Sequence, residues 1–97
     1  MLRHVVCLTF RASTPDAAVD ELVAALRALP AAIPEIRHYE VGIDVGLADG
    51  NADLTLAADF DDADAWRRYQ DHPAHVRVIT ELVRPIVEHR VASQFEV

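Results

Sequence analysis

Residues 2–11 alternate with a period of two, and neither face of the strand they describe is polar throughout. Leu2, His4, Val6, Leu8 and Phe10 share one side. Arg3, Val5, Cys7, Thr9 and Arg11 share the other, with an apolar centre between polar ends. A strand that is apolar on both sides must be covered on both sides. A chain of 97 residues has little room for a second core, so residues 1–97 read as one domain. Helices can cover one face, which leaves the other for a partner.

The remaining elements follow in order. Thr14, Pro15 and Asp16 mark a helix start, with Thr14 as the expected cap and Pro15 at the first helical position. Val19, Leu22, Val23, Leu26 and Leu29 then keep helical spacing, and Pro30 and Pro34 are expected to close the helix. Residues 35–46 alternate Arg37, Tyr39, Val41, Ile43 and Val45 against Ile36, His38, Glu40, Gly42 and Asp44, as in a strand. A turn around Asp49, Gly50 and Asn51 leads to a third strand over 53–60, with Leu54, Leu56, Ala58 and Phe60 on one side.

Asp61 and Asp62 are placed to cap a short helix through Tyr69. Pro73 disfavours the α conformation at His72 and breaks it. A second helical piece is expected from His75 to about Arg84, closed by Pro85, with Ile79, Leu82 and Ile86 extending the stripe that His75 begins. Residues 88–97 make a last strand with Val91, Phe95 and Val97 on one face. The order β-α-β-β-α-β predicts an α+β, ferredoxin-like fold: an antiparallel four-stranded sheet with helices on one side. Two such sheets packed face to face would form a dimeric α+β barrel.

Charge narrows the partners. The net charge is -7, and Asp59, Asp61, Asp62, Asp64 and Asp71 cluster in one region. Such a surface repels phosphate backbones and anionic lipid, so neither nucleic acid nor a membrane surface is expected as a partner. Cys7 is the only cysteine, which excludes an internal disulfide and a Cx2C metal site. With no signal-like or spanning apolar run, a cytoplasmic location is expected.

The segment from Trp66 to His75 carries the chemistry-bearing residues. It gathers Tyr69, His72 and His75 at a proline-made junction between helices. His4 lies on the apolar face of strand one. If that face meets the helices, His4, Tyr69 and His75 all point into one mostly apolar space. Burial disfavours imidazolium, so a histidine there stays neutral and able to accept a proton near pH 7. A nearby hydroxyl could orient it or donate to a carbonyl, and a positioned base contributes about 10²- to 10⁴-fold.

Each residue also has a structural reading. Tyr69 fits a core aromatic, His75 a helix cap, and His4 a hydrogen-bonded interior histidine. His72 and His75 are three apart, a spacing that suits metal ligation on a continuous helix, but Pro73 interrupts it and no acid stands as third ligand. No Gly-rich phosphate loop or nucleophile motif is present. Neither metal nor cofactor is expected.

Leu2-Arg3-His4-Val5-Val6, Leu29-Pro30, Ile33-Pro34-Glu35-Ile36 and the string from Tyr69 to His75, of form Y-x-x-H-P-x-H, together resemble the stress-responsive dimeric A/B barrel (Dabb) family. The resemblance spans nearly the whole chain. It implies a ferredoxin-like protomer whose sheet pairs with a second copy. Many members have no determined activity, and a plant polyketide cyclase of the family closes a poly-β-ketone by intramolecular aldol condensation.

That cyclase's tyrosine–histidine pair corresponds to Tyr69 and His75, and His4 matches a pocket histidine. A further histidine of its third strand is Leu54 here, and the first helix is alanine-rich at Ala17, Ala18, Ala24, Ala25 and Ala28. The resemblance therefore implies a cofactor-free, lyase-class cyclase acting on a small apolar or polyketide-like molecule, with His75 as base, Tyr69 as orienting group and His4 beside them. Two alternatives stand: a non-catalytic stress-response or ligand-binding homodimer, and a cofactor-independent monooxygenase.

Overall fold

A computed structural model describes residues 1–97. In it the two-faced strand β1 (Leu2–Phe10) lies inside the sheet, paired antiparallel with β3 (Leu54–Phe60) on one side and β4 (Val87–Glu96) on the other. Strand β2 (His38–Ile43) flanks β3 antiparallel, so the order across the sheet is β2-β3-β1-β4. This is the ferredoxin-like arrangement expected from the element order.

The inner face of the sheet carries the core. His4, Val6 and Leu8 of β1, Val41 of β2 and Leu54, Leu56, Ala58 and Phe60 of β3 are all buried. Helix α1 (Asp16–Ala32) presents Leu22, Leu26 and Leu29 to the core, and Ile33 follows it into full burial. Helices α2 (Ala63–Asp71) and α3 (Pro73–Val78) complete the layer. Val5, Cys7 and Ala57 on the other face are only partly covered, and no helix lies over them.

Several local expectations need correction. Thr14 does not cap α1. Pro15 occupies the cap position in an extended conformation without any side-chain bond, so the Thr14 hydroxyl stands one residue too far out. Pro30 does not end the helix, because the lost amide falls in the last turn and the Ile33 amide still donates to the Leu29 carbonyl at 2.9 Å. Only Asp62 caps α2, accepting from the Ala65 amide at 2.8 Å. Asp61 instead pairs with Arg37 at 2.9 Å, and strand β2 begins only after that residue.

The piece expected as one helix to Arg84 is two. Helix α3 gives way to a π-helical segment over Ile79–Val83, in which the Arg84 amide reaches back five residues to the Ile79 carbonyl. Hydropathy spacing does not separate the two, since an apolar pair four apart suits either turn. No helix is long and apolar enough to cross a membrane.

Candidate active site

Strand register lays one polar row across the apolar inner face. Tyr39 of β2 stands opposite Ala58 of β3, Ala58 opposite His4 of β1, and His4 opposite Gln94 of β4. Ala58 is the only small residue in this row, and it leaves space above the sheet between Tyr39 and His4. The phenol of Tyr69 descends into that space from the last turn of α2. Its hydroxyl lies 2.9 Å from that of Tyr39, and its ring packs on Phe60 at a centroid distance of 4.9 Å.

The junction after α2 then turns His75 inward. His72 caps α3 with its own ring, Nδ1 accepting from the Ala74 amide at 3.1 Å. Pro73 fills the first helical position, where its missing N–H costs nothing. His75 follows one residue after Ala74, its ring 4.3 Å from that of Tyr69 between centroids. The expected helix-capping role therefore belongs to His72 and not to His75. The two imidazoles serve different ends, and no group of three possible metal-ligating side chains occurs anywhere in the chain.

His4, Tyr69 and His75, at 1%, 2% and 7% exposure, all border one cavity of about 240 Å³. Val6, Leu8, Leu26, Leu54, Leu56, Ile79 and Val83 make most of its wall. An engineered cavity of about 150 Å³ holds a benzene, so this one has room for a single substituted ring. Leu54 makes its end of the chamber apolar.

Hydrogen bonds decide the tautomers. Nδ1 of His75 lies 3.2 Å from the Gln70 carbonyl, which can only accept, so Nδ1 carries the proton and Nε2 the free lone pair. His4 is the reverse: the Gln94 amide donates to its Nδ1 at 2.8 Å, which leaves the proton on Nε2. One imidazole is thus a base and the other a donor, with the Tyr69 hydroxyl at the same cavity. When Tyr39 donates to Tyr69, the Tyr69 proton is free for a ligand.

Burial sets the charge states. It is the largest influence on His4, reinforced by Arg90 and His75, and lowers that imidazole to about 4. Burial also lowers His75, opposed by its bond to the Gln70 carbonyl and aided by Arg90 and His72. It raises both tyrosines; the hydroxyl contact raises Tyr39 further but eases Tyr69. Both imidazoles are therefore neutral and both phenols protonated at pH 7.

Two measurements test this arrangement. An NMR titration is expected to place His4 near 4, and stability should rise with pH between about 4 and 6.5 because there the unfolded chain binds the extra proton. A His4 that titrates at its ordinary value would contradict the buried geometry. Tyr39→Phe removes the partner of a buried hydroxyl and should cost about 1 kcal/mol, lowering the melting temperature by roughly 4–8 °C. An unchanged melting temperature would show that the hydroxyl pair contributes nothing.

All three residues singled out in the sequence meet at this cavity. Sequence reading missed four others: Tyr39, Gln94, Gln70 and Arg90. Tyr39 was visible as the inward partner of Val41 on an alternating strand. The other three depend on strand register or on a backbone carbonyl at the junction, and carry no signal in the sequence.

The family model for the stress-responsive A/B barrel domain matches residues 2–97. No protein of curated function matches the sequence. Among solved structures, a dimeric ferredoxin-like protein of unknown function from Thermobifida fusca is 40% identical, with a TM-score of 0.91 over 99% of this chain and 90% of its own. A second dimeric ferredoxin-like protein of unknown function, from Bacteroides fragilis, is 27% identical, with a TM-score of 0.88 over 99% and 95% of the two chains. A hydroxynitrile lyase from Passiflora edulis shares the fold at 17% identity, with a TM-score of 0.87 over 99% and 92%.

Proposed function

Because the chain belongs to the stress-responsive A/B barrel domain family, we propose that it is a homodimer whose protomers each perform cofactor-free acid–base chemistry on a small carbonyl compound. One observation carries the chemistry: His75 has its Nδ1 proton committed to the Gln70 carbonyl, and it borders an apolar cavity in contact with the Tyr69 ring. Its Nε2 lone pair is then the base that removes a proton next to a carbonyl. The Tyr69 hydroxyl and the His4 Nε2 proton are the donors that hold the resulting oxyanion. The reaction class is the cyclase or lyase type, in which a stabilised carbanion forms or breaks a carbon–carbon bond.

The dimer is supported by the uncovered sheet face, where Val91 and Phe95 are exposed, and by the dimeric state of the relatives. The hydroxynitrile lyase from Passiflora edulis shares this fold, which fits the lyase class without indicating a substrate. The test is deuterium exchange at the methyl carbon of aryl methyl ketones in D2O, followed by NMR. Catalysed exchange supports the proposal, and a rate no greater than the buffer background refutes it for this substrate class.

A second reading is favoured by the aliphatic wall of the cavity, namely retention of an apolar ligand without turnover. It predicts saturable binding of the same ketones with no exchange. The monooxygenase alternative would show as oxygen uptake with phenols.

A further inference from the structure

Arg90 stands where an apolar residue would be expected. Register places it opposite Leu8, on the inward face of β4 and next but one to Ala92, and its side chain borders the cavity. It is the only charged residue there, since the lining includes no aspartate or glutamate. Arg3, Arg37, Arg67, Arg68 and Arg77 are each paired with a carboxylate, and Arg27 donates to the Val41 carbonyl. Arg90 has no such partner. Arg11 and Arg84 are likewise without a carboxylate partner, but only the exposed Arg90 borders the apolar chamber.

We propose that Arg90 is the specificity residue of this cavity, and that the ligand class is a small aryl or comparable ring compound carrying one carboxylate. The inference rests on the reading of the cavity as the ligand site. Its planar fork of donors matches a carboxylate in two parallel hydrogen bonds. A phosphate dianion fits less well, because Arg90 is the only cation at the cavity and both imidazoles are neutral. The dimensions agree: one substituted ring fills the chamber, and its acidic group lies at the charged rim.

The test uses benzoate and its neutral counterpart benzamide as probes, with binding followed through the His4 and His75 ring resonances of the intact protein. Benzoate should bind about tenfold or more tightly than benzamide, the increment of a charge-assisted hydrogen bond. Arg90→Gln should abolish that preference by weakening benzoate far more than benzamide, and added salt should weaken only benzoate. Equal binding of the two probes to the unaltered protein, or a preference that survives Arg90→Gln, would overturn the assignment and leave the cavity reading intact. Failure of both probes to shift either ring at millimolar concentration would overturn both. Arg90→Lys supplies the control for fold: it keeps the charge and should keep part of the preference.

Discussion

Replacing His75 with glutamine should reduce catalysed exchange of an aryl ketone by about 10²- to 10⁴-fold, the contribution of a positioned general base. Glutamine is close to histidine in size, so the effect on folding should be small. Its amide can still donate to the Gln70 carbonyl, but it offers no nitrogen lone pair of comparable basicity. Circular dichroism and dimer mass should therefore match the parent protein. The pH profile gives a second signature. Burial lowers His75, so the acid limb of activity should lie below the ordinary imidazole value of 6.5. Full activity in the glutamine variant would remove His75 from the mechanism, whatever the fate of the cavity.

Val91→Asp is expected to split the proposed dimer. Val91 is 69% exposed and Phe95 46% exposed on the sheet face that no helix covers, beside half-buried Val5, Cys7 and Ala57. In a protomer alone the substitution touches little, and it should cost within about 1 kcal/mol. In a two-fold pairing it counts twice, and burying a valine contributes about 1.5–3 kcal/mol per copy. Losing both weakens association by at least about 3 kcal/mol, roughly a hundredfold, before the desolvation of two carboxylates. Sedimentation velocity reads the result. A variant that remains fully dimeric at low micromolar concentration would mean that the copies meet through another surface.

Much of this architecture was legible in the order of residues. The two-sided apolar strand at 2–11 called for cover on both faces; the helices cover one, burying His4, Val6 and Leu8, while Val5 and Cys7 on the other are only partly covered. The string from Tyr69 to His75 identified the junction, because a proline after His72 leaves the backbone few choices there. Boundaries were less legible. Pro30 was expected to stop α1 but did not, since its missing amide falls in the last turn and the Ile33 amide still donates to the Leu29 carbonyl. The π-helical turn at Ile79–Val83 leaves no mark in hydropathy.

Periodicity and composition therefore determined which faces are apolar, the order of strands and helices and where the chain must turn. These are local properties, set by side-chain spacing and by the steric limits of proline. What the imidazoles can do was decided only in three dimensions. The Gln94 amide lies 90 positions from His4 and the Gln70 carbonyl 5 from His75, yet they assign opposite tautomers to two chemically identical rings. Arg90 likewise became meaningful only once strand register brought it opposite Leu8. Protonation and charge recognition depend on distances of a few ångströms between residues remote in the chain, and those distances are products of the packed sheet.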